Sequence, residues 1–339
     1  MTEFDGVVHG LDGGTPLGFL AGVGLQRVLS TRFPQVTLSW RLLDAWRPVI
    51  QGVASFETIV ESVLSDAASW RDSALLRFRY LKQEKRGPKS VQGLRAPIGI
   101  LRAWLSLRRD SGDEEALAYA CALMCETATE VIDESVPLEI VAQDHLPVDE
   151  DGPLDSVSMP TFFDFTSRNA YFIAQVEEIR GYLTQEIVSE ELSRGQLVKA
   201  PRTLCWAPTA DTPAAIYTGF GGGSLPVAEW LGFRGLACFP VSGTGDRMIT
   251  TGCEGRRKQG EFIWPLWEVA AGVESVRTLV AHPSLARLDG DARHALGIST
   301  VLRASLTKQA DGYDGMFSPA RPVMSATKTK SLRGDRPET

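Results

Sequence analysis

The segment from Thr15 to Leu29 constrains the fold most, because it reads as an apolar helix interrupted by three glycines. Thr15 is placed to cap the helix, with Pro16 at the first helical position, where its missing N–H costs nothing. Leu17, Phe19, Leu20, Val23, Leu25, Val28 and Leu29 form the body, and the helix is predicted to end near Ser30. A glycine inside a helix costs about 1 kcal/mol relative to alanine, so Gly18, Gly22 and Gly24 need a compensating contact. Gly18 and Gly22 lie four apart and share a face that permits close backbone approach. The expected occupant of that face is a sheet; a bound phosphate is the alternative.

The remaining periodicities predict an α+β chain of helices and short antiparallel strands. Val36 to Trp40 and Trp46 to Ile50 read as two strands or a hairpin. Ser55 starts an amphipathic helix carrying Phe56, Ile59, Val60, Val63, Leu64, Ala67 and Trp70. The composition of Gln83 to Lys89 predicts a loop, and Pro97 opens the next helix. A helix is expected from about Asp113 to Ala128, and another within Thr166 to Thr184. Gly219 to Ser224 is a Gly-rich turn ahead of a short helix around Pro226 to Leu231. Leu236 to Val241 and Arg247 to Thr251 read as paired strands joined through Ser242 to Asp246. Phe262 to Trp267 is a strand end and Val273 to Val280 a helix. With 339 residues the chain has room for two lobes, divided in the acidic, turn-rich stretch Asp144 to Ser158. The expected parts are residues 1–145, 146–310 and a mobile tail over 311–339.

Charge is unevenly distributed. The net charge is −7, which argues against a broadly basic nucleic-acid coat. Yet Arg77 to Arg109 holds ten Lys or Arg and a single acid, Glu84, whereas Ser111 to Ser167 holds fourteen acids and no Lys or Arg. The two blocks either neutralise each other across the fold or offer one face to anions and another to basic partners. In Arg77-Phe78-Arg79-Tyr80 a strand would place both cations on one face and both aromatics on the other. Lys82, Lys85, Arg86, Lys89 and Arg95 follow, and Arg256-Arg257-Lys258 forms a second basic turn. Together these ten residues are the candidate phosphate contacts.

No bond-breaking chemistry is signalled. The five cysteines are an odd, scattered set that fits a reducing cytoplasm. Cys121 and Cys125 lie four apart on a predicted helix and read as core packing, since no second pair completes a zinc site. No G-x-S-x-G or P-loop motif occurs. Glu130 and Glu134 would share a helix face only if that helix continued, and they are the one opening for a metal-dependent hydrolase. The N-terminus lacks a signal-peptide pattern and no apolar run is long enough to span a membrane. No catalytic residue, metal, cofactor or membrane partner is therefore expected, and the chain is expected in the cytoplasm.

Leu11 to Leu29 (LDGGTPLGFLAGVGLQRVL) resembles the opening of CRISPR-associated proteins of the subtype I-G (formerly I-U) effector systems. Phe163 to Phe172 is similar to that group's Thr-Ser-Gly helix start, with Arg168 where the glycine usually stands. Ala228 to Leu236, Phe239-Pro240 and Trp264 to Trp267 are similar to a stretch of its compact large-subunit members or of companions of the helicase–nuclease. The resemblance implies a non-catalytic subunit in crRNA-guided DNA interference. Its partners would be crRNA or target DNA, the other subunits of the Cascade complex, and the helicase–nuclease. On that reading the basic loops contact phosphates, the Ser242 to Asp246 turn probes a groove, and the acidic surface from Asp113 to Asp155 faces protein. An adaptor that never touches nucleic acid is the alternative.

Overall fold

In a computed structural model, which describes residues 5–84, 87–131, 156–166, 171–199, 203–206, 223–256, 259–307 and 316–324, the glycine-bearing segment forms helix α1 (Pro16–Ser30). The Thr15 hydroxyl caps it, accepting from the Gly18 N–H at 3.1 Å. On the face shared by Gly18 and Gly22, Gly22 meets the sheet as expected while Gly18 meets the Asp12 backbone; Gly24 meets a helix. The helix α7 (Pro226–Gly235) crosses α1 so closely that a Cβ on Gly24 would lie 1.7 Å from the Leu231 carbonyl oxygen. A Cβ on Gly235 would lie 2.4 Å from Leu20 O in return. The sheet contributes one ring, the Trp40 indole, which covers Gly22. Protein atoms fill the glycine face, so a phosphate has no room there.

Around this pair the elements run in chain order. The hairpin β1 (Thr37–Leu42) and β2 (Trp46–Gln51) is followed by α2 (Phe56–Ser69), capped by Ser55. Next come β3 (Tyr80–Glu84) and β4 (Gly87–Val91), then α3 (Ile98–Ser111) and α4 (Glu114–Leu123). Strands β5 (Met124–Val131) and β6 (Ser156–Pro160) pair antiparallel. Helices α5 (Phe172–Gly181) and α6 (Gln185–Arg194) lead to α7. The hairpin β7 (Val241–Thr244) and β8 (Arg247–Thr250) precedes β9 (Cys253–Glu254) and β10 (Glu261–Trp267). Helices α8 (Val273–Val280) and α9 (Gly290–Ala295) lead to β11 (Ile298–Thr307), β12 (Met316–Phe317) and β13 (Arg321–Pro322). The largest sheet has the order β12-β11-β10-β9, with β13 also on β11. The architecture is α+β, as the sequence predicts.

One apolar cluster runs from Val8 to Phe317 and takes residues from both sides of the predicted 145/146 division. Phe19 sits at its centre, with ring centroids 5.6 Å from Trp40, 6.0 Å from Trp264 and 6.1 Å from Phe262. Two of the buried tryptophans are also hydrogen-bonded: Trp264 Nε1 donates to Gly13 O and Trp267 Nε1 to Leu38 O, both at 2.9 Å.

Four expectations are corrected. The Gln83 to Lys89 loop is instead largely ladder, with Tyr80 paired to Val91 and Lys82 to Lys89, because the alternating Phe78 and Tyr80 anchor an extended chain in the core. The helix expected to Ala128 stops at Leu123, and the β-branched run Thr127, Thr129, Val131 continues as β5. Leu236 to Cys238 is a 3₁₀ turn, so the following hairpin starts at Val241 and turns at Gly245-Asp246. Within the tail predicted mobile from Asp311, residues 316–324 instead lie against β11, with Phe317 and Val323 buried. Most of the stretch expected to divide two lobes lies outside the described residues.

Candidate nucleic-acid interface

The basic block is mounted on a rigid frame. Phe78 and Tyr80 point inward, at 3% and 5% exposure, while Arg77 and Arg79 are exposed, as the alternation predicts. The Phe78 ring packs 5.2 Å from Trp104 of α3. Burial pushes the Tyr80 phenol well above its ordinary pKa, so it stays neutral beneath the cations. Gln92, just beyond β4, donates to Leu76 O at 2.6 Å and accepts from the Ile173 N–H at 3.2 Å, fixing the hairpin base to α5.

Arg95 is exposed between buried Leu94 and Ala96. The Ser158 hydroxyl donates to Leu94 O at 2.7 Å and accepts from the Ala96 N–H at 3.1 Å, clamping the backbone on both sides of that arginine. Lys89 is exposed on β4, with Nζ 5.4 Å from the Tyr171 ring centre. Arg77 pairs with Asp72, and the pair is open to solvent. Among the described residues no carboxylate pairs with Arg79, Lys89 or Arg256. The Lys82 backbone lies opposite Lys89, while the Lys82 side chain, like all of Lys85, Arg86, Arg257 and Lys258, lies outside what the structure describes. Arg256 is exposed on the β9–β10 turn, so the second basic cluster belongs to a different hairpin from the first.

Further along, the basic and acidic blocks do meet. Arg109 pairs with Glu126 of β5 at 3.3 Å, Arg108 with Asp113 at 3.8 Å, and Arg102 donates to Glu126 O at 3.3 Å. The neutralising arrangement therefore accounts for Arg108 and Arg109 of α3.

Other sequence candidates are differently placed. The Gly245 turn is tied to β5: its N–H donates to Thr127 O at 3.0 Å and its carbonyl accepts from the Thr129 N–H at 2.8 Å. Those groups are unavailable to a nucleic-acid groove. Of the Gly-rich turn, Gly219 to Gly222 lie outside the described residues, and Ser224 pairs with Val198. The start of α7 that follows is no anion site, because the carboxylate of Glu191 already accepts the N–H groups of Val227 and Ala228. Glu130 is on strand β5, so it shares no helix face with Glu134, which lies outside the described residues. Among the described residues no cluster of three His, Cys, Asp or Glu is arranged to hold a metal. Cys125 is buried as expected, but Cys121 is exposed and does not pack in the core. Among the described residues no helix is long and apolar enough to cross a membrane.

The sequence reading missed the buried ionic cluster around Arg234. Its guanidinium lies 4.3 Å from the Trp70 ring centre and 5.1 Å from Tyr119, and donates to Asp66 at 2.9 Å and Glu115 at 2.8 Å. The available signal is an arginine in a mostly apolar helix, Pro226 to Gly235, whose only other charged residue is Glu229. Comparison with known proteins finds no matching family model and no matching curated protein.

Proposed function

We propose that this chain is a non-catalytic subunit of a type I, I-G-like CRISPR effector, contacting the nucleic-acid backbone and helping to recruit the helicase–nuclease. The observation that carries the phosphate-binding part is that Arg77, Arg79, Lys89 and Arg95 are exposed on a backbone pinned by buried aromatics and by Ser158. The CRISPR assignment is supported by the resemblance of Leu11 to Leu29, Phe163 to Phe172 and Ala228 to Trp267. Rigid mounting favours binding, because little freedom remains to be lost when a phosphate is gripped. Few cations take part, so the contact is local, with a salt dependence set by the few phosphates they neutralise.

Arg79→Glu combined with Lys89→Glu tests this. Affinity for a guide-bearing complex or a short duplex falls by about tenfold or more at roughly 50 mM salt, and the slope of log K against log salt decreases by about 2. Unchanged low-salt binding of the folded double variant overturns the phosphate role. The adaptor reading has its own support: Arg108 and Arg109 are neutralised within the fold and the net charge is −7. It expects nuclease-resistant co-purification with the helicase–nuclease that the double variant leaves intact.

A further inference from the structure

Two glutamates are almost completely buried around the start of α7, and among the described residues neither has a cationic partner. Glu191 of α6, at 0% exposure, uses both oxygens: Oε1 accepts from the Ala228 N–H at 2.6 Å and Oε2 from the Val227 N–H at 3.1 Å. Glu229 of α7, at 1% exposure, accepts from the Thr203 hydroxyl and, at 3.1 Å, from the Leu204 N–H. Both of those bonds go to Oε1. Oε2 of Glu229 is buried with no donor among the described residues.

We propose that Glu229 is held as the neutral acid beside an ionised Glu191, and that this one proton locks α6 and residues 203–206 onto the start of α7. An anion at Glu191 is supported by two N–H groups at the positive end of a helix. An anion at Glu229 would leave one oxygen unsolvated and place a second buried negative charge beside the first. The only other charged residue on α7 is Arg234, which Asp66 and Glu115 engage. Of the elements packed on α7, α6 supplies Glu191 as the titratable group that Glu229 acts on; no charged group of α1, α5 or residues 236–238 acts on Glu229. Burial raises both carboxyls; at Glu191 the two N–H groups oppose the rise, and part of it comes from a charge on Glu229 that the neutral acid does not carry.

A carboxyl with a raised native pKa binds a proton that the unfolded chain releases. Its contribution is therefore complete below the unfolded value of 4.5 and is lost as pH climbs through about 7. Urea unfolding of the full chain from roughly pH 5 to 9 reads this directly. The wild-type midpoint falls with rising pH. Glu229→Gln, which copies the neutral acid, keeps the pH 7 midpoint and flattens the slope. Glu191→Gln lowers the midpoint at every pH, because its amide nitrogen cannot accept an N–H. Infrared spectroscopy supplies the second readout: a carboxylic-acid carbonyl band is present at neutral pH, disappears on raising the pH and is missing in Glu229→Gln. If Glu229→Gln does not fold, persistence of the band in Glu191→Gln decides. A slope unchanged in Glu229→Gln, a band lost in Glu191→Gln instead, or no band at neutral pH overturns the assignment.

Discussion

Arg234 is the residue with most at stake. It is 1% exposed and carries a full charge, yet two carboxylates and two aromatic rings surround it. Asp66 also accepts from Trp230 Nε1 at 3.0 Å, so that carboxylate ties α2 to α7 twice. Tyr119 completes the group by donating to Arg234 O at 2.7 Å, and burial pushes its phenol up to about 12. Removing one partner of such a pair leaves an uncompensated buried charge, which costs about 3 to 5 kcal/mol. Arg234→Ala is expected to lose stability on that scale in urea unfolding, and the added Asp66→Leu change is expected to restore part of it. Equal losses in the single and double variants would show that Asp66 is not the charge left exposed. Apolar neighbours hint that this arginine is buried, but the local sequence does not say what meets it; the packed rings and carboxylates come from α2, the turn at Trp70 and α4, more than a hundred residues away.

At the scale of elements, the α1–α7 contact is the one with least tolerance. Gly24→Ala sets a methyl group against the Leu231 carbonyl at 1.7 Å, which backbone cannot avoid without moving the two helices apart. Overpacking of this kind costs about 3 kcal/mol or more. Gly112→Ala is the useful contrast, since it meets nothing within 4 Å and carries only the strain of φ +67° at a helix end, about 1 kcal/mol. Denaturant midpoints of the two variants should separate clearly, and similar values would mean that the helices can slide. The need for close approach was legible from three glycines in an apolar helix. The partner was not, because sequence spacing marks a face without marking what fills it. The same limit applies to the basic block: alternation placed Arg77 and Arg79 outward, but composition concealed the β3–β4 ladder beside them. Helix α6 escaped notice although Thr184 and Gly195 bound it as caps, because its charged face hides a short apolar stripe of Val188 and Leu192.

Across the whole molecule, the core draws on segments far apart in sequence, so stability depends on parts that composition marks as dispensable. Phe317 is 1% exposed and packs edge-on 4.8 Å from Phe165 and tilted 5.8 Å from Phe262. Phe317→Ala is expected to cost about 3 to 5 kcal/mol by urea unfolding, as for other core phenylalanines. A loss below about 1 kcal/mol would place the 316–324 segment outside the cooperative unit. Charge is likewise decided globally: Arg108 and Arg109 of α3 pair with Asp113 and Glu126, while Arg77, Arg79, Lys89 and Arg95 are exposed. The sequence by itself determined which stretches become helix or strand wherever period and caps agree, as in α1, α2, α8 and β10. It also determined which side of Arg77 to Tyr80 faces water, because these choices depend on neighbours a few residues away. Only the tertiary structure decided which cations stay open, which carboxylates are buried and what lies against the glycines. Those outcomes depend on solvent exclusion and charge pairing between distant segments, and no local pattern carries that information.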